Sequence, residues 1–226
     1  MPSTAPRLPK RALRLYLVFG PQDLRPNASA PGLINAAVEG GVTCVQWRDK
    51  TETAAAPLDT RVAAAQPAFR AARAQGVPFL INDDVSLAAA LGADGVHLGQ
   101  DDLPPIEARA QLGPDAVIGW SVGTAEERAR LDLLRTQDPA LIDYIGVGPA
   151  FTTGTKADAG AALGSAGINA VIEGLDPALP IVAIGGISLQ TLPHLREARV
   201  DGIAVVSALT RSSDPRATAQ ALLSTA

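Results

Sequence analysis

Two short stretches of this chain carry the residue types that hold phosphate. In Phe151-Thr152-Thr153-Gly154-Thr155-Lys156, small hydroxyls, a glycine and a lysine come two residues after the apolar run Tyr144-Ile145-Gly146-Val147-Gly148. Hydroxyls and exposed backbone N–H groups donate to phosphate oxygens, and a lysine adds a point charge. The second stretch, Gln46-Trp47-Arg48-Asp49-Lys50, ends another apolar run. Side chains alternate along an extended segment, so Gln46, Arg48 and Lys50 project to one side. One neutral hydrogen-bonding group and two cations there, with a second cationic loop elsewhere, predict a polyanionic substrate. The loop around Lys156 lacks the full Gly-x-x-x-x-Gly-Lys-Ser/Thr spacing, which weighs against a nucleotide triphosphatase.

Carboxylates occupy equivalent positions. Asn82-Asp83-Asp84 follows Pro78-Phe79-Leu80-Ile81, and Gly99-Gln100-Asp101-Asp102 follows Gly95-Val96-His97-Leu98. Alone, each acid reads as a helix cap or a turn residue. Beside cationic strand ends, one carboxylate from each element is suited to bridge Mg2+ to a diphosphate, because that ion takes oxygen ligands from one or two carboxylates, phosphates and water. Gly185-Gly186 and Val206-Ser207 follow two further apolar runs, Ile181-Val182-Ala183-Ile184 and Gly202-Ile203-Ala204-Val205. They fit a second phosphate site made from backbone N–H groups, with ordinary turn chemistry as the plainer alternative. His97 interrupts an apolar strand and reads as an interior hydrogen-bonded histidine, while His194 reads as solvent exposed. With these two histidines and the single Cys44, read as a buried inert thiol, no zinc spacing exists and a Ser-His-Asp hydrolase has little support.

The elements that must position these residues alternate along the chain. Strand-like runs at 13–19, 42–48, 78–83, 94–98, 117–122, 143–148, 181–185 and 202–206 are separated by helix-like stretches such as 60–75, 124–135, 160–173 and 188–198. Eight such units in 226 residues predict a single (β/α)8 barrel rather than an open doubly wound sheet. Lys50, Asp83, Asp102, Ser121, Lys156, Gly185 and Ser207 then converge on the face where the strands end. Residues 13–226 form the expected domain and residues 1–12 an expected flexible tail; residues 51–57 are a candidate mobile loop. Arg7 to Arg14 ahead of Leu15-Tyr16-Leu17-Val18-Phe19 imitate a signal peptide, but the run is short and ends in Gly20-Pro21, so it reads as a first strand. A formal charge of -4 gives no general attraction to nucleic acid or to an anionic membrane, and no run reaches membrane-spanning length. A cytoplasmic protein is expected, with a homo-oligomer left open.

From Leu15-Tyr16-Leu17-Val18 to Val205-Val206-Ser207 the chain resembles the thiamine-phosphate synthase family. The resemblance is carried by Gln46-Trp47-Arg48-Asp49-Lys50, Ile81-Asn82-Asp83, the run Gly92 to Leu103, and Tyr144-Ile145-Gly146-Val147-Gly148-Pro149 leading into Thr153-Gly154-Thr155-Lys156. It implies a transferase that joins hydroxymethylpyrimidine diphosphate to a thiazole phosphate, releasing diphosphate through a carbocation-like pyrimidine. By the same resemblance, Gln46, Arg48, Lys50, Asn82 and Lys156 contact the pyrimidine diphosphate, Asp83 and Asp102 hold Mg2+, and Ser121 lies near the reacting centre. Thr153, Thr155, Gly185, Val206 and Ser207 hold the thiazole phosphate. One position departs: Trp120-Ser121-Val122-Gly123-Thr124 has glycine where the family commonly has histidine. A thiazole tautomerase branch relies on that histidine; that branch and a noncatalytic phosphate-ligand-binding barrel are the alternatives.

Overall fold

The computed structural model describes residues 7–152 and 161–225. Eight parallel strands close a barrel in chain order, and β8 returns to pair with β1. They are β1 (Leu15–Phe19), β2 (Cys44–Trp47), β3 (Phe79–Asn82), β4 (Gly95–Leu98), β5 (Val117–Val122), β6 (Tyr144–Val147), β7 (Ile181–Ile184) and β8 (Gly202–Val205). These are the eight expected strands, starting at most two residues later and ending at most one earlier than the sequence suggests.

The strands read as continuous apolar runs because both faces are covered. Inward-facing Tyr16, Val18, Cys44, Leu80, Val117, Tyr144, Val182 and Ala204 form one core inside the barrel. Outward-facing Leu15, Leu17, Phe19, Val45 and Trp47 join a larger core beneath the helices. Those helices are α1 (Ala30–Glu39), α2 (Leu58–Ala74), α3 (Val85–Leu91), α4 (Pro105–Leu112), α5 (Ala125–Gln137), α6 (Gly164–Ile172), α7 (Ser207–Thr210) and α8 (Pro215–Thr225). Thr124 and Glu127 form a reciprocal capping box that starts α5. The stretch 188–198, expected to be helical, makes only a 3-10 turn at Leu192–Leu195. Pro193 removes a donor and disfavours helical backbone before it, and Thr191 Oγ1 donates to Gly186 O at 2.8 Å, which holds a turn instead.

Of the expected tail 1–12, residues 7–12 are described, and they cover the end of the barrel where the strands begin. Leu8 and Leu13 are buried in the inner core. Arg7 Nη1 lies 2.8 Å from Asp143 Oδ1, and Arg109 Nη2 lies 2.8 Å from Asp143 Oδ2. Among the described residues no helix is long and apolar enough to cross a membrane.

Candidate active site

Strand β2 and the residues just past its end place the three candidates at decreasing depth rather than side by side. Gln46 is 3% exposed inside the barrel, Arg48 is half-buried, and Lys50 is exposed at the rim. The Arg48 guanidinium makes no hydrogen bond or ion pair with any described residue. A half-buried cation without a partner among the described residues is poised for an anion. Lys50 Nζ sits 2.9 Å from Asp83 Oδ2.

Strand β3 ends in Asn82, after which Asp83 adopts φ 64°, a left-handed conformation uncommon outside glycine. The capping work falls to Asp84, whose Oδ1 accepts from Leu87 N at 2.9 Å to start α3. Asp83 is thereby left free to face the rim, where it meets Asp102 from the loop after β4. Burial, then the hydrogen bond with Asp83, push the Asp102 carboxyl up to about 6, against an opposing bond from Gly99 N at 2.6 Å. Burial also acts on Asp83, but hydrogen bonds from Asp102 and Lys50, with the Lys50 charge, hold its carboxyl below the usual range. Two facing carboxyls, one held above and one below the usual range, are a donor pair into which a hard divalent cation fits. Among the described residues no three His, Cys, Asp or Glu side chains gather as a complete metal cage. A cation held by this pair would draw its remaining ligands from outside it, such as water and phosphate oxygens.

A cavity of about 280 Å³ opens beside Asp83, lined by Trp47, Lys50, Arg61, Asn82, Asp83 and Asp84 among others. Over it, the segment expected as a mobile loop forms a 3-10 turn at Glu52–Ala55. Arg61 fastens that turn, with Nε donating to Ala56 O at 3.1 Å and Nη1 paired with Asp84.

Ser121 comes from β5 and faces inward, its Oγ 2.9 Å from His97 Nε2. His97 Nδ1 lies 2.9 Å from Tyr144 OH, so the interior histidine read from the sequence is hydrogen-bonded as expected. Tyr144 contacts Tyr16 OH at 3.0 Å, and Gln46 Nε2 donates to Tyr16 OH at 2.7 Å. Sequence reasoning missed both tyrosines. The available signal was a phenol at an inward position of an apolar strand, where a buried O–H must find a partner.

Across the same rim, Gly185 and Gly186 have φ 102° and 65°, and they let the backbone after β7 approach the segment after β6. A Cβ on Gly185 would stand 2.8 Å from Pro149 Cα, and one on Gly186 would stand 2.7 Å from Thr152 O. Val206 caps the short helix α7 and Ser207 begins it, exposed at the same rim. Thr153, Thr155 and Lys156 lie outside the described residues. At Gly123, a Cβ would collide with the Gly148 carbonyl oxygen, so the place of a side chain is taken by the neighbouring strand's backbone.

The family described as thiamine monophosphate synthase matches residues 15–209. A thiamine-phosphate synthase of Xanthobacter autotrophicus is 46% identical over 213 residues, covering 93% of each chain. One of Azorhizobium caulinodans is 44% identical over 212 residues with the same coverage. Among solved structures, a thiamine phosphate pyrophosphorylase from Pyrococcus furiosus superposes with a TM-score of 0.77 at 31% identity, covering 94% of this chain and 95% of its own. With a match that spans the whole barrel and both sides of the site, the chain belongs to the thiamine monophosphate synthase family.

Proposed function

We propose that this protein condenses hydroxymethylpyrimidine diphosphate with a thiazole phosphate, giving thiamine phosphate and diphosphate. The observation that carries this reading is the facing pair Asp83 and Asp102, set beside Lys50 and Arg48, the latter without a side-chain partner among the described residues, on the rim where the strands end. Carboxylates alone would repel a diphosphate; with cations alongside they suit a metal–diphosphate complex. Mg2+ held by Asp83 and Asp102 would supply neutralising charge to the diphosphate oxygens.

The chain's own residues bind and orient. Arg48 and Lys50 hold the diphosphate and stabilise the negative charge it gains as the bond between the pyrimidine methylene carbon and oxygen breaks. Asn82 hydrogen-bonds the same substrate, Gln46 lies beneath it, and Ser121 offers a hydroxyl to the reacting centre. The thiazole nitrogen then attacks the methylene carbon, which requires positioning and exclusion of water rather than a strong base. Gly185, Val206 and Ser207 hold the thiazole phosphate with backbone and hydroxyl donors, assisted by Thr153 and Thr155, while Lys156 joins the diphosphate side. The roles of Thr153, Thr155 and Lys156 rest on the resemblance.

Gly123 weighs against tautomerase chemistry. Its Cβ position is filled by the Gly148 backbone, leaving no place for the imidazole that branch uses. Steady-state assays of Asp102→Ala and Lys156→Ala test the proposal. Each is expected to lower kcat by about 10²-fold or more while the variants stay folded. Wild-type turnover in a folded variant would remove that residue from its role.

A further inference from the structure

Beneath the rim, five polar side chains from five strands form one unbroken hydrogen-bonded line through the barrel. Gln46 Nε2 reaches Tyr16 OH at 2.7 Å, Tyr16 OH reaches Tyr144 OH at 3.0 Å, Tyr144 OH reaches His97 Nδ1 at 2.9 Å, and His97 Nε2 reaches Ser121 Oγ at 2.9 Å. The sequence makes room for it. A Cβ on Gly119 would collide with the Tyr144 ring, and one on Gly146 would come 3.0 Å from His97 Cε1. These glycines sit in β5 and β6 where an inward side chain would otherwise fill the barrel.

We propose that this line is a polarised relay that turns the Ser121 hydroxyl hydrogen out of the barrel and toward the substrate, with Gln46, Tyr16, Tyr144 and His97 as its positioning residues. An amide nitrogen can only donate, so Gln46 makes the Tyr16 oxygen an acceptor. Burial raises both phenols well above their ordinary range, so each keeps its one hydrogen. Cys44, beside Tyr16, offers a weak sulfur acceptor, so the Tyr16 hydrogen goes to Tyr144. Tyr144 then donates to His97 Nδ1, which leaves the His97 hydrogen on Nε2, directed at Ser121. With its oxygen accepting from His97, Ser121 has its own hydrogen left for the site. No proton is transferred; the relay fixes hydrogen positions before substrate arrives. The identity of the recipient, an oxygen of the departing diphosphate, rests on the synthase reading above.

Two measurements decide it. The chain has two histidines, so nitrogen NMR of 15N-histidine-labelled protein, with His194→Gln to remove the exposed one, reads His97 directly. The relay requires neutral His97 with hydrogen on Nε2; hydrogen on Nδ1 overturns it. In a kinetic cycle, Ser121→Ala is expected to lower kcat about 10²-fold and Tyr144→Phe roughly tenfold with KM unchanged, while Tyr144→Phe adds nothing in the Ser121→Ala background. Effects that multiply overturn the relay, and Tyr16→Phe serves the same cycle if Tyr144→Phe does not fold. Should the wild-type protein form no thiamine phosphate, the synthase reading fails, and the His97 tautomer still decides the relay.

Discussion

Arg48 and Asp102 are single residues at which a proposed role in binding can be separated by experiment from a role in folding. Because Arg48 has no partner among the described residues, Arg48→Ala should change stability by only about 0.5 kcal/mol. It should weaken binding of hydroxymethylpyrimidine diphosphate by about tenfold or more, the loss of a charge-assisted hydrogen bond. Calorimetric titration beside thermal melts separates the two; a large melting loss with unchanged binding would make Arg48 structural. Asp102 has a raised carboxyl, so its contribution to folding is fully present below the unfolded value near 3.9 and is lost as pH rises through about 6. Asp102→Asn keeps a donor toward Asp83 without that loss. In metal-free buffer its Tm relative to wild type should therefore climb between pH 4 and pH 7, and an equal difference at both ends would contradict the assignment. The types of these residues were legible in the sequence, since cations and acids at strand ends have few other reasons to gather. Their depths were not: alternation puts Gln46, Arg48 and Lys50 on one side, but only the closed barrel shows that the first lies inside it and the last beyond the strand end.

Strands were the easiest elements to read, because burial on both faces leaves short apolar runs with few competing interpretations. The seventh connection was misread as helical from its Leu, Arg and Glu content, since composition does not register how Pro193 and the Thr191 hydroxyl divert the backbone. Glycines carried a second hidden message. Sequence alone presents Gly123 as a missing imidazole, whereas in the fold it is the point where β5 and β6 close against each other. Gly123→His should therefore cost about 1–3 kcal/mol of stability through forced displacement of the strand end, with no gain in turnover. A stable variant with faster turnover would show that the site accepts the imidazole after all. Gly119→Ala, built against the Tyr144 ring, should likewise lower Tm, and its kcat should fall with that of Tyr144→Phe.

Across the whole molecule, the proposed site and the apolar closure lie at opposite ends of the barrel. A chain of net charge -4 gathers Arg48 and Lys50 at the rim where its strands end, and closes the other end with Leu8, Leu13 and the Arg7–Asp143–Arg109 cluster. That closure was not legible, because a basic segment before the first strand looks like a loose tail until the barrel it covers exists. Leu8→Ala should cost about 2–5 kcal/mol in denaturant unfolding and leave kcat unchanged at temperatures where the protein stays folded. A change in kcat would couple the two ends. The central claim is tested most directly by incubating the purified protein with hydroxymethylpyrimidine diphosphate, thiazole phosphate and Mg2+, with and without chelator, and following products by mass spectrometry. Thiamine phosphate and diphosphate appearing together, and disappearing with chelator, is the predicted result; no product while both substrates bind would contradict it and leave a noncatalytic barrel.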